Sequence, residues 1–294
     1  MIHKYLKSVG FSQIQKNENL YELLDAIIYH PDERMIERDS CGNDFACFSK
    51  YIQDDMGISV CGCFMQGGKF RMEYYYPFFF GSTVTTAEPV EVERNSLNET
   101  FFGICDELKM GIPLIFSVNN VMDVLRENRR GDGEIIASHT VLSGLAYSGK
   151  ILLPIMKTRE HAQMKEKSSK KRMNLMIQAR EGDKSALENL TLNDMDTYAA
   201  ISRRVIKEDI LSIVESSIIP YGVETDQYTV IGEILNCYKV KNHISGDLLW
   251  VLSLSCNHLE FDICINSKDL YGEPEIGRRF KGRIWMQGYL NFGC

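Results

Sequence analysis

Apolar residues recur along the chain in two rhythms, and the changes between them divide it into three segments. Residues 1–156 mostly alternate, residues 157–219 follow helical spacing in a charged background, and residues 220–294 alternate again. In the first segment a short helical piece over 3–8 precedes a helix over 19–30. That helix carries Leu20, Leu23, Leu24, Ile27 and Ile28 on one stripe, and Pro31 stops it. Ile58, Val60, Gly62 and Phe64 share a strand face, with Cys61 and Cys63 on the other. Gly67-Gly68 marks a turn, after which Phe70, Met72, Tyr74 and Tyr76 alternate with Lys69, Arg71, Glu73 and Tyr75, as in a hairpin with one buried face. Further strands are expected over 90–93, 101–108, 112–118, 135–142 and 149–155, with a helix over 120–128 closed by Gly131-Asp132-Gly133.

The middle segment reads as one helix over 157–182 with few apolar residues. A second helix is expected to start at Thr191, where Asp194 completes capping-box spacing, and to carry Leu192, Met195, Tyr198 and Ile201. A third stripe, Ile206, Ile210, Ile213 and Val214, runs to Ser217. Pro220 and Gly222 mark a boundary. Beyond it Leu248, Trp250, Leu252 and Leu254 share one face, and Leu259, Phe261, Ile263 and Ile265 another. With strands over 228–238 and 282–287, this segment suits a small barrel, OB- or SH3-like. The expected fold is therefore α+β: an antiparallel-sheet domain at 1–156, a charged helical segment at 157–219 and a small β-barrel-like domain at 220–294.

Charge sharpens this division. The 294 residues carry a net −7, which argues against a cationic coat for nucleic acid. Yet Lys157, Arg159, Lys165, Lys167, Lys170, Lys171 and Arg172 face only Glu160 and Glu166. That stretch is +5, so the remainder carries −12. Lys165, Lys167, Lys170, Lys171 and Arg172 are candidates to hold an acidic partner, or the chain's own acidic surface within the molecule or across a homo-oligomer. The run lacks the aromatic residues that stack on bases. A second basic cluster, Arg278, Arg279, Lys281 and Arg283 with Trp285, has the cation-plus-aromatic composition that nucleic-acid binding uses. Strict alternation cannot bury Phe280 and Trp285 on one face, so a turn is expected at Gly282.

Catalytic chemistry leaves little trace. There is no P-loop, no G-x-G-x-x-G, no G-x-S-x-G and no H-E-x-x-H. His139 in a strand, with Glu73 and Asp106 as candidate buried acids, makes up the set an enzyme reading would need. No metal or cofactor is expected: Cys61-Gly62-Cys63 has no second ligand pair. The nine cysteines are expected to be mostly reduced, since no secretory signal or membrane span is read.

Several phrases resemble a known family: HKYLKSVGFS at 3–12, EYYYPFFFGS at 73–82, LENLTLNDMDTYAAISRR at 187–204, SIVESSIIPYGVETDQYTVIGEI at 212–234 and DICINSKDLYGEPEIGRRFKGRIWMQG at 262–288. Together they resemble an uncharacterised family of bacterial proteins found mainly among anaerobic Gram-positives. The resemblance implies a cytoplasmic protein of unknown function and carries over no catalytic residue. The leading expectation is a non-enzymatic binding or assembly protein. The alternatives are nucleic-acid binding through the terminal β domain and basic helix, and a small-molecule enzyme with a pocket in the N-terminal domain.

Overall fold

A computed structural model describes residues 2–96, 98–106, 113–130, 135–155, 159–206 and 208–293, with backbone alone at 159–166 and 169. The expected Gly131-Asp132-Gly133 stop lies outside these residues. A 3-10 turn over Lys4–Val9 leads to α1 (Asn17–Tyr29) and four strands: β1 (Glu33–Arg38), β2 (Asp44–Gln53), β3 (Met56–Phe64) and β4 (Phe70–Phe79). Next come β5 (Val90–Arg94), β6 (Phe101–Cys105), β7 (Leu114–Val118), α2 (Val121–Arg130), β8 (Ile136–Ala137) and β9 (His139–Leu152). The helices α3 (Arg159–Arg180), α4 (Lys184–Val205) and α5 (Ile210–Ile213) follow. The chain ends with β10 (Ser217–Pro220), β11 (Gln227–Lys241), β12 (Leu248–Cys256), β13 (Leu259–Asn266), β14 (Leu270–Tyr271) and β15 (Arg279–Asn291).

The architecture is mixed α+β. Strands β1 to β4 form one antiparallel sheet in chain order. The hairpin between β3 and β4 turns on Gly67 and Gly68, both at positive φ (92° and 77°), a region open to glycine. The other strands form an eleven-stranded sheet, and the pairing of β11 with β15 closes β11, β12, β13, β9 and β15 into a five-stranded barrel. Most pairings are antiparallel; β9 runs parallel to β13 and β14, and β15 runs parallel to β7.

The barrel expected within 220–294 thus borrows one stave from the first segment. The division at 156 separates stretches of chain but runs through a single sheet, because β9 lies between β13 and β15. The two strands expected over 135–142 and 149–155 are joined as well: β9 is continuous from His139 to Leu152. Its glycines do not break it because they face the barrel interior, where the Phe280 ring takes the space at Gly149 and the Ile263 and Ile284 side chains take it at Gly144.

Inside the barrel lie Val230, Leu254, Phe261, Ile263, Phe280 and Ile284, all buried. The turn expected at Gly282 is absent, and β15 passes straight through it. Phe280 points in, and Trp285 points out against the Lys4–Val9 turn, stacking on Tyr5 at 5.6 Å between centroids. Both are covered because the N-terminal turn supplies a second core outside the barrel wall, with Leu6, Leu24, Phe48, Val60, Val251 and Cys264.

Candidate interaction surface

Residues between β9 and β10 form a helical insertion. Helices α3 and α4 run 22 residues each, about 33 Å of helix apiece. The link is tight: Gly182 takes positive φ (94°), and the Asp183 side chain caps α4 by accepting from the amides of Ser185 and Ala186. This cap explains a correction. The helix expected to start at Thr191 begins at Lys184, and the Thr191 hydroxyl instead donates to the Leu187 carbonyl in mid-helix. The third stripe is also shorter than expected: α5 is a single turn, and Ser217 already belongs to a strand.

The two helices pack against each other and share an ion pair between Arg172 and Asp194; Ala186, near the start of α4, is buried. Near the tip, Arg180 approaches Asp106 at 3.9 Å. Most of the apolar surface of α4 stays open. Leu192 is 60% exposed, Met195 64%, Tyr198 75% and Ile206 83%, with Leu187, Ile201 and Val205 also exposed. Spacing had marked Leu192, Met195, Tyr198 and Ile201 as one stripe. Leu187 lies outside that stripe because the helix starts about two turns earlier than the Thr191 signal.

The basic run resolves into parts. Lys157 and the side chain of Lys165 lie outside the described residues. Lys167, Lys170 and Lys171 are exposed. Arg172 is spent within the insertion, on Asp194.

The second cluster spreads over β15. Arg279 is buried and donates to the carbonyls of Leu153, Leu211 and Val214. Arg278 pairs with Glu275 at 2.8 Å. The Trp285 indole donates to Asp226 at 2.6 Å, and Arg283 lies over the Tyr221 ring. Lys281 is half-buried. Arg279 and Trp285 are therefore engaged inside the molecule.

His3 completes the stack on Trp285, with centroids 4.9 Å apart. Burial, aided by Lys4, lowers its pKa from 6.5 to about 4, against a smaller opposing pull from Glu224. Between those values the unfolded chain binds the extra proton, so His3 adds stability above pH 6.5 that is lost as pH falls towards 4. His3→Asn keeps an acceptor for the Tyr5 amide and removes the titration. Urea midpoints at pH 7 and pH 4.5 should fall further in the natural protein than in His3→Asn; equal falls would remove this account.

The residues of the enzyme reading sit apart in their contacts. His139 meets Ser138, Asp106 meets Arg180, and Glu73 meets Arg71. An open groove beside β1 and the turn between β3 and β4 has Arg34 and Asp44 as its charged side chains. Arg34 lies over the rings of Phe48 and Phe64, and Asp44 pairs with Arg38 at 3.1 Å. The cysteines are mostly reduced, as expected, with Cys41, Cys63, Cys105, Cys237, Cys256 and Cys264 as thiols; Cys47 and Cys61, directly opposite on β2 and β3, form a disulfide. Cross-strand register brings them together, which spacing along the chain does not reveal. Cys63 donates to Asp39, and burial is the first cause pushing its thiol pKa up to about 12, with Glu73 next. Among the described residues no three His, Cys, Asp or Glu side chains converge as a metal site, and no helix is long and apolar enough to cross a membrane.

No curated protein and no solved structure matches the chain. One family does, over residues 6–288: the domain of unknown function described from an E. rectale gene, DUF3881. The match spans nearly the whole sequence, and the chain belongs to this uncharacterised bacterial family.

Proposed function

We propose that the protein is a binding or assembly protein, without an enzymatic reaction of its own, and that the apolar face of α4 is its contact surface. The observation that carries this reading is the exposure of that face. Single exposed apolar residues are ordinary, but a run of seven on one helix, from Leu187 to Ile206, is not. Together they expose several hundred Å², on the order of the ~800 Å² that one partner buries in a stable complex. The basic residues Lys167, Lys170 and Lys171 on the neighbouring helix would add attraction for an acidic partner. This is the self-association or acidic docking that the charge pattern suggests.

The test places a photo-crosslinking amino acid at Tyr198, and at the exposed Gln66 as a control, in cells that make the protein naturally. A discrete larger adduct from position 198 alone is the expected result. No adduct at 198, or the same adducts from both positions, would overturn the reading.

A further inference from the structure

The face of α4 is self-complementary, and we infer that its occupant is a second copy of this chain, bound through an antiparallel α4–α4 contact about a two-fold axis. The inference rests on the proposed role of that face and names its partner.

A two-fold contact between antiparallel helices pairs each position with one equally far on the other side of the centre. Place that centre between Asp196 and Thr197. Leu187 then lies opposite Ile206 of the partner subunit, Thr191 opposite the partner's Ser202, Leu192 opposite the partner's Ile201, and Met195 opposite the partner's Tyr198. Each of these four pairings is apolar with apolar or hydroxyl with hydroxyl. Leu187, Thr191, Met195, Tyr198, Ser202 and Ile206 follow steps of three and four, the spacing that keeps one seam facing a neighbouring helix. Ile206 belongs to the same seam because its backbone is still right-handed helical (φ −66°, ψ −26°).

Charge supports the same arrangement. Glu188 and Arg203 sit on one flank of this seam, near opposite ends of α4. Neither makes an ion pair among the described residues. Antiparallel pairing about that centre sets Glu188 opposite the partner's Val205 and about 3 Å along the helix from the level of the partner's Arg203 on the same flank, within reach of the two long side chains, and symmetry makes the contact twice. Arg204, by contrast, is held by Glu208 of its own chain at 2.8 Å. The alternative of stacking α3 on a second α3 would set Lys167, Lys170 and Lys171 against their own copies, so the pairing falls to α4.

Sedimentation velocity on the full chain, from about 1 to 100 μM, tests the inference, with unchanged circular dichroism and urea midpoint required of each variant. A reversible dimer is expected. Glu188→Arg should weaken it about tenfold by facing the partner's Arg203, and adding Arg203→Glu should restore it. Tyr198→Lys should abolish it. A monomer throughout the range overturns the inference, as does a dimer indifferent to Glu188→Arg and Tyr198→Lys. A monomer that still crosslinks from position 198 to a different protein would end this inference and leave the binding role standing; loss of all crosslinks would end both.

Discussion

Phe280→Ala will destabilise the folded protein by about 4 kcal/mol and Gly149→Ala by about 2 kcal/mol, yet the two together will cost less than their sum. The reason is the way the barrel fills its interior. Phe280 is fully buried, and its ring lies against two glycines, Gly149 and Gly282. A Cβ at Gly149 would stand 2.2 Å from one ring carbon and 2.7 Å from another, with the Ile265 methyl next at 3.2 Å. Every close neighbour there is a side-chain atom, so removing the ring removes the collision, and the new methyl occupies part of the cavity. Gly282 provides the contrast. A Cβ there would meet the same ring at 2.3 Å but also the Ser148 carbonyl oxygen at 2.6 Å. Backbone cannot rotate away, so Phe280→Ala should give Gly282→Ala little relief. Urea denaturation of the singles and both doubles measures the couplings. Additive costs for Gly149→Ala and Phe280→Ala would mean that the ring does not set the requirement for glycine at 149.

These contacts show what was legible in the sequence and what was not. The inner wall could be read: Leu259, Phe261, Ile263 and Ile265 alternate because one face of β13 fills the barrel. The opposite parity of Phe280 and Trp285 was visible too, but a turn was the wrong remedy. Trp285 is covered by Tyr5 and His3, from the far end of the chain, and periodicity within β15 contains no information about such a neighbour. The same limit hid the place of β9 in the barrel, since Ser143-Gly144 and Ser148-Gly149 look like breaks until the Ile263, Ile284 and Phe280 side chains that need the space are known. It also hid the Cys47–Cys61 disulfide, which depends on register across a hairpin. On α4 the stripe was legible and its exposure was not. Helical spacing reports that apolar residues share a face but not what lies over it. The basic run divides in the same way: composition marked it, while only the packing of the two helices assigns Arg172 to Asp194.

Arg279→Met will cost about 3 kcal/mol and will loosen the base of the helical insertion before it affects the barrel. Arg279 is 6% exposed, and among the described residues its guanidinium hydrogen bonds go to three backbone carbonyls. Nε and Nη2 donate to Leu153 at 3.0 Å, Nη2 to Leu211 at 2.8 Å and Nη1 to Val214 at 2.6 Å. Leu153 follows the end of β9, while Leu211 lies in α5 and Val214 is its C-terminal cap. One side chain therefore ties both stems of the insertion to the barrel strand β15. Burial lowers its pKa, but a guanidinium remains charged at neutral pH, and free carbonyls near a helix C-terminus favour a cation. Methionine keeps the apolar stem and removes every donor. Lysine restores the charge without the planar fork that reaches both stems, so Arg279→Lys should fall between the natural protein and Arg279→Met. Urea denaturation measures the cost, and amide hydrogen exchange locates it. The Val214 amide, which donates to Ile210, should exchange faster in Arg279→Met, while amides paired between β12 and β13 should keep the protection set by global unfolding. If Val214 kept its natural protection relative to those strands, Arg279 would not be what holds the two stems.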